Sequence, residues 1–405
     1  MQPWKTDNWF TSPWNFCNEA LGQLQFAKQI KIHDVTLRDG EQQAGFVFNK
    51  DQKVAIAEKL AEVGIHRIEA GMPAVSLSDQ QAIKEIVKRN FGPEIYAFAR
   101  CTKSDIDLAL DCGCTGVVTE IPCSEHLIEK AYLWSLDRAI EQSIEVTRYA
   151  REKGLRVVFF TIDSSRATPS WFLSTIKRIA KEGHMDALTV ADTMGVLNPH
   201  GAYAMVKAIK KEVSVPIEVH FHDDFGLGAA NTLFALAAGA DVAHTSVTGI
   251  GERAGNAPYE DIAVALRCTY NIDLGLDLSK LRETSKLVQE ISGMSERFNR
   301  PIVGDTVFHI ESGVVSSWWK NCFPQDALEL GPFLPSLVGQ NPIDIRMGKK
   351  SGVPNIEIWL EQMGMEIPDN EIVKQMLNDV KDKALEKGNE LTREEFRLIA
   401  SKYIQ

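Results

Sequence analysis

Cysteines in the number and spacing of a disulfide framework are missing. Seven are scattered over 405 residues, an odd number, and the only close pair is Cys112 and Cys114. Neither a stapled scaffold nor a paired-cysteine zinc ribbon fits, so a reducing compartment is expected. Also missing is any apolar run near the ~18 residues needed to cross a bilayer. The opening Met-Gln-Pro-Trp-Lys-Thr-Asp has no basic segment followed by an apolar one, so it does not read as a secretory signal. A cytoplasmic protein without membrane attachment is the expectation. Positive charge is in deficit: 44 Lys and Arg stand against 55 Asp and Glu, a net charge of −11. That balance argues against nucleic acid and anionic membranes as partners, since both favour basic surfaces. No repeat or low-complexity tract is present.

What the sequence does have is a regular alternation. Short β-branched runs at 30–36, 67–70, 95–98, 116–119, 156–161, 187–191, 217–221 and 242–246 are separated by stretches with helical spacing. The latter lie at 51–63, 77–88, 104–111, 136–153, 169–182, 200–212 and 229–238, with a last at 259–266. Strands alternating with helices imply βαβ units and a parallel sheet. Eight units over about 240 residues match a (β/α)8 TIM barrel. The competing doubly wound sheet normally carries a Gly-rich fingerprint after its first strand, where this chain reads Leu-Arg-Asp-Gly-Glu-Gln. Three segments are expected: an aromatic arm over 1–29 with Trp4, Trp9 and Trp14, either lying on the main domain or a partner subunit or forming a partly ordered tail; a catalytic barrel over 30–270; and a mostly helical extension over 271–405. Within the extension, 277–294 reads as one helix, 300–352 as loops and 369–403 as two helices. Thr392 followed by Glu395 has the spacing of a capping box.

Barrel active sites form at the C-terminal ends of the strands, which directs attention to the polar residues there. After the first strand come Arg38, Asp39, Gly40, Glu41 and Gln42. The seventh holds His220 and His222, two apart and therefore on one face. Neighbouring imidazoles suit a divalent transition metal. Asp39 and Asn256, the latter in the glycine-rich stretch after the eighth strand, are the candidate oxygen ligands. Two nitrogens and two oxygens leave positions open for a substrate. Such ligands do not separate manganese, zinc, magnesium, cobalt and iron. Thr193 is placed to donate to a substrate carboxylate, and Arg100 to pair with one; a surface ion pair is the other reading of Arg100. Glu69 sits in the second strand.

Together the motifs Asp34-Val35-Thr36-Leu37-Arg38-Asp39-Gly40-Glu41-Gln42, Ile68-Glu69-Ala70-Gly71-Met72-Pro73, Asp192-Thr193-Met194-Gly195, His220-Phe221-His222-Asp223-Asp224 and Gly251-Glu252-Arg253-Ala254-Gly255-Asn256-Ala257 resemble the isopropylmalate, homocitrate and citramalate synthase family. The wider group includes hydroxymethylglutaryl-CoA lyase. The resemblance covers about residues 30–400. It implies a metal held by Asp39, His220, His222 and Asn256, with Arg38 neutralising the oxygen on which charge develops. Gln42 and Thr193 become substrate contacts by resemblance, and Glu69 and Arg100 join them as expected contacts on the strength of their strand positions and charge. Thr161 and Asp163 fall where the synthases usually have a serine and a glutamate, and Asp163 is the expected base. The reaction implied joins an acyl-CoA, acetyl-CoA first, to a 2-oxo acid. The partner implied is a second copy of the chain, with Glu311-Ser312-Gly313 contributed across a dimer. Departures from the family pattern are clear. Ile310 and Val315 flank that segment where histidines are usual, Lys350 replaces another, and His126 is the nearest histidine past the fourth strand. A lyase running the same bond chemistry backwards is the alternative, and a catalytically silent binding barrel a third.

Overall fold

The β-branched runs form strands whose inward face fills a cylinder. The computed structural model describes residues 2–295 and 297–404. Its eight parallel strands are β1 Lys31–Asp34, β2 Arg67–Glu69, β3 Glu94–Arg100, β4 Gly116–Pro122, β5 Arg156–Ile162, β6 Ala187–Asp192, β7 Ile217–Phe221 and β8 Val242–Thr245. They pair in sequence order, and β8 pairs with β1 (Lys31 opposite Val242, His33 opposite His244), closing the barrel. The (β/α)8 expectation therefore holds. The strands extend at most a few residues beyond or inside the expected runs.

Helix limits follow local chemistry. Lys50–Val63 starts in a capping box between Asn49 and Gln52 and stops at Gly64, which has a left-handed φ of 90°. Leu77–Arg89 is capped by Ser76 and ends at left-handed Asn90. Buried Lys53 reaches from the first of these helices to Glu41 and Asp79, 2.5 Å from each, tying down the turn after β1. No described helix is long and apolar enough to cross a membrane.

The chain divides into two compact units, Trp14–Ser295, and Met1–Pro13 with Glu296–Gln405. The barrel unit includes the helix Leu281–Ser292, shorter than the expected 277–294 because Asp277 caps a preceding 3-10 turn. In the other unit the arm runs beside residues 332–334: Phe10 N–H donates to Pro332 and Leu334 N–H to Asn8, both at 2.9 Å, and Trp9 is buried. Two helices there fall in the region expected to be loops. Gly313–Cys322 begins with glycine and two valines, poor helix formers, and has no side-chain cap. Val353–Gln362 carries a proline in its first turn, which reads as a breaker in sequence but is a normal helix start. The helices Asn370–Lys387 and Arg393–Ala400 match expectation, and Thr392 and Glu395 form the capping box. Trp359 and Phe396 meet edge to face at 5.4 Å in this unit's core.

Phe159 on β5 is completely buried on the helix-facing side of the barrel. Phe159→Ala is expected to cost about 3–5 kcal/mol through the cavity it leaves. The check is the urea midpoint at unchanged slope.

Candidate metal centre and active site

His220 and His222 lie on the inward face of β7 and its continuation, as period two requires. Asp39 arrives from the turn after β1. Its Oδ2 is 3.0 Å from His220 Nε2 and 3.7 Å from His222 Nε2, and the two imidazole nitrogens are 3.3 Å apart. Three ligand atoms around one cation at ~2.1 Å stand roughly 3.0–3.4 Å from one another, so the group has nearly the edge lengths of a coordination sphere. His222 Nδ1 faces the Gly255 carbonyl at 3.2 Å, which fixes the ring with Nε2 toward Asp39. Burial pushes the His220 imidazole down to about 3, so it is neutral, the ligating form. Burial alone would raise the Asp39 carboxyl, but Arg38 and the two histidines outweigh it and hold the group well below its usual value.

Asn256 joins the same cluster. It pairs with His222 as an isolated bridge, and its amide donates to the Ile250 carbonyl at 3.2 Å. Its Oδ1 is buried with no hydrogen-bond partner among the described residues. A buried carbonyl oxygen without a donor is costly unless a cation or ordered water meets it. The donor set and this oxygen fit a divalent metal. The loop needs its glycines: a Cβ on Gly251 would lie 2.2 Å from Asn256 Nδ2, and one on Gly255, at φ 86°, 1.9 Å from the Gly249 oxygen.

Arg38 lies beside the cluster with its guanidinium 4.0 Å over the Phe98 ring. Nη1 donates to Asp39 at 3.0 Å and to Gln42 Oε1 at 3.1 Å, and Nε donates to Glu69. Nη2 is buried and has no partner among the described residues. Glu69 is fully buried between Arg38 and His33 (3.1 Å), so it holds Arg38 in place and has no exposed oxygen for a substrate.

Other expected site residues are differently placed. Arg100 is clamped by Asp105, with bonds of 2.8 and 2.9 Å, the ion-pair reading of that residue. Thr161 follows inward-facing Phe160 and so faces the helices, where its hydroxyl donates to the Thr189 carbonyl at 2.8 Å. Asp163 has a left-handed φ of 59° and no free oxygen: Arg166 holds both at 2.7 and 3.0 Å, Ser124 donates to Oδ2 at 2.6 Å, and His126 Nε2 lies 3.3 Å away. Its expected role as base conflicts with that arginine clamp. Thr193 Oγ1 accepts the Asp163 N–H at 2.8 Å, leaving its hydroxyl proton free to donate elsewhere.

Several buried polar residues escaped the sequence reading. Below the metal cluster, His33 and His244 stack at 4.3 Å, His244 pairs with Glu218 at 2.8 Å, and Glu218 with Arg67 at 2.6 Å. His33, Glu218 and His244 are close enough to hold a second ion. The Arg67 cation already satisfies Glu218, so these side chains pair with one another as barrel filling. Alternation could have revealed Glu218, two residues before His220, and likewise Glu120, two after inward-facing Val118. In the other unit, the Glu311-Ser312-Gly313 segment packs on the loop around Lys350: Glu311 accepts the Lys350 N–H at 2.9 Å, and Gly313 N–H donates to the Lys350 carbonyl at 3.1 Å. His309 is exposed in a two-residue strand.

Asp39→Asn and His220→Ala should each lower metal retained after dialysis, measured by elemental analysis. Gly255→Val should do the same without touching a ligand, because its side chain displaces the loop that carries Asn256. Undiminished metal in all three would remove this cluster as the metal centre.

The HMGL-like family matches residues 29–288. A homocitrate synthase, AksA, from Methanothermobacter thermautotrophicus is 37% identical over 97% of this chain and 98% of its own. A 2-isopropylmalate synthase from Methanocaldococcus jannaschii is 36% identical over 92% of this chain and 71% of its own. An Archaeoglobus fulgidus protein with the provisional name (R)-citramalate synthase is 39% identical over 93% of this chain and 76% of its own. Among solved structures, hydroxymethylglutaryl-CoA lyase from Pseudomonas aeruginosa superposes with a TM-score of 0.61 at 22% identity, covering 67% of this chain and 95% of the lyase, a likeness of fold. With the barrel, the strand-end cluster and these matches in agreement, the chain belongs to the HMGL-like family.

Proposed function

We propose that the chain is an acyltransferase that condenses an acyl-CoA, acetyl-CoA first, with a 2-oxo acid to give a 2-alkylmalate or homocitrate-type product. The observation that carries this reading is the convergence of Arg38, Asp39, His220, His222 and Asn256 at one barrel mouth. It is supported by relatives named as synthases over most of the chain. The lyase alternative draws on the missing histidine at Val315 and on likeness of fold to solved lyases at 19–22% identity.

Asp39, His220, His222 and Asn256 would hold a divalent cation, which supplies Lewis acidity to the ketone of the 2-oxo acid. Arg38 does the remaining electrostatic work. Its Nε and Nη1 are anchored by Glu69, Asp39 and Gln42, so the unpartnered Nη2 is free to meet the oxygen on which negative charge grows. Since the guanidinium is fixed before substrate arrives, little reorganisation is required in the transition state. The free hydroxyl proton of Thr193 suits the substrate carboxylate. Gln42 borders the same space. A homodimer bringing residues 311–313 of one copy to the other's barrel belongs to the proposal, as does a cytoplasmic setting, consistent with seven free cysteines.

The test is release of CoA thiol by purified protein with a divalent metal, acetyl-CoA and a panel of 2-oxo acids. At least one acid should give thiol. Release with none, at full metal occupancy, defeats the reading. Arg38→Lys should lower kcat by roughly 10²–10³ while metal content holds, because a lysine cannot keep the anchored fork and still reach the oxygen.

A further inference from the structure

If Asp163 is clamped by Arg166, a condensing enzyme needs another group to take the proton from the acyl methyl. The carboxylates around the mouth are otherwise spoken for. Asp39 and Glu69 are bound to Arg38, Glu41 to Lys53, Asp192 to Ser165, and Asp224 to Arg253. Glu120 differs. It lies near the C-terminal end of β4, in register with Arg100 on β3 and Phe160 on β5. Val118, two residues earlier, packs inside the barrel with Phe98 and Phe160, so Glu120 faces the mouth. Its carboxylate has no hydrogen bond or ion pair to any described residue, and the side chain is largely enclosed. It stands on the side of the barrel opposite β8 and β1, across from the metal cluster, within range of the Arg38 charge.

We propose that Glu120 is the general base that removes the α-proton of the acyl thioester. The proposal rests on the condensation reading above and names the missing catalytic group within it. The Glu120 carboxylate accepts the proton from the acyl methyl. The electron pair of the broken C–H bond is held in the thioester enolate, whose α-carbon then forms the new bond to the ketone carbon as the ketone π pair moves onto its oxygen, facing Arg38 Nη2. That oxygen takes a proton from solvent, Glu120 releases the abstracted proton to solvent, and water hydrolyses the thioester to the carboxylic acid with loss of the CoA thiol. No oxidant or reductant is needed.

The surroundings suit this role. Burial raises the Glu120 carboxyl to about 7, with Glu69 and Asp105 acting in the same sense and Arg38 and Arg100 opposing. Tyr132 and Cys101 are the other titratable groups close enough to feel it. A base with its pKa near the working pH combines a populated basic form with the strongest drive to accept a proton.

The experiment follows solvent deuterium into the methyl of acetyl-CoA and the release of thiol, in wild type, Glu120→Gln and Glu120→Asp, all metal-loaded and with the 2-oxo acid panel. Metal content and 2-oxo acid affinity by calorimetry report on structure independently. The expected result is a loss of methyl exchange and thiol release by about 10²–10⁴ in Glu120→Gln. Glu120→Asp should recover part of both, with metal content and acid affinity held in both variants. Exchange at the wild-type rate in Glu120→Gln overturns the proposal, and thiol release by wild type in the same assay would leave the condensation reading standing. Wild type that exchanges methyl protons through Glu120 but releases no thiol with any acid supports the base and defeats the condensation reading. Wild type that does neither overturns both.

Discussion

The buried pairing of Arg38 with Glu69 and Asp39 is the constraint on which this barrel depends. Taking a guanidinium out of water costs several kcal/mol, and only well-placed counter-charges offset it. Glu69 meets that need from β2 and Asp39 from the same turn. Each then requires its own partner. Burial alone would drive Glu69 toward the neutral acid, but Arg38 and His33 outweigh it and bring its carboxyl down to about 2. From His33 the series continues through stacked His244 to Glu218 and Arg67, so paired charges line the inside of the barrel. Burial holds His33 near 4 and therefore neutral, which lets it sit face to face with a second imidazole. The interior thus sets two arginines, Arg38 and Arg67, against three carboxylates, Asp39, Glu69 and Glu218, and the arginine at the mouth cannot swing without breaking bonds to Asp39, Gln42 and Glu69.

Much of this was legible in sequence because two periodicities carry it. Alternation of β-branched runs with helical spacing gave all eight strands, and His220 and His222 two apart on one strand pointed to a shared face. The residues around position 39 and Asn256 were found because ligand chemistry is local: a short oxygen donor at a strand end next to the histidines. What failed depended on side-chain pairings that spacing does not reveal, whether the partner is three or five residues away, as Arg166 and Asp105 are, or 39, as Ser124 is from Asp163. Nothing near Asp163 says that Arg166, Ser124 and His126 converge on it, and nothing near Arg100 separates a substrate contact from the Asp105 clamp. Thr161 was a fault of register, since one residue along a strand reverses the side faced. The same alternation, followed inward from Val118, leads to Glu120. The helices Gly313–Cys322 and Val353–Gln362 were hidden by weak propensity and by proline punctuation, and packing in their unit outweighs both.

The arrangement of the mouth also limits where a base can stand. A carboxylate in hydrogen-bond contact with Arg38 is held in its ionised form and becomes a poor proton acceptor, as Glu69 shows. One exposed to solvent keeps the ordinary carboxylate range and is equally weak at neutral pH. Between these lies a narrow zone: enclosed enough for burial to disfavour the charge, near enough to the cation for the anion to persist, and without a direct bond to it. Glu120 occupies that zone on the strand facing the cluster, in register with Phe160 on one side and on the other with Arg100, whose guanidinium is held by Asp105. Val315 stands where the resembling synthases usually carry a histidine. With Val315 in place of that histidine and Asp163 bound to Arg166, Glu120 is a carboxyl inside the barrel that meets these conditions.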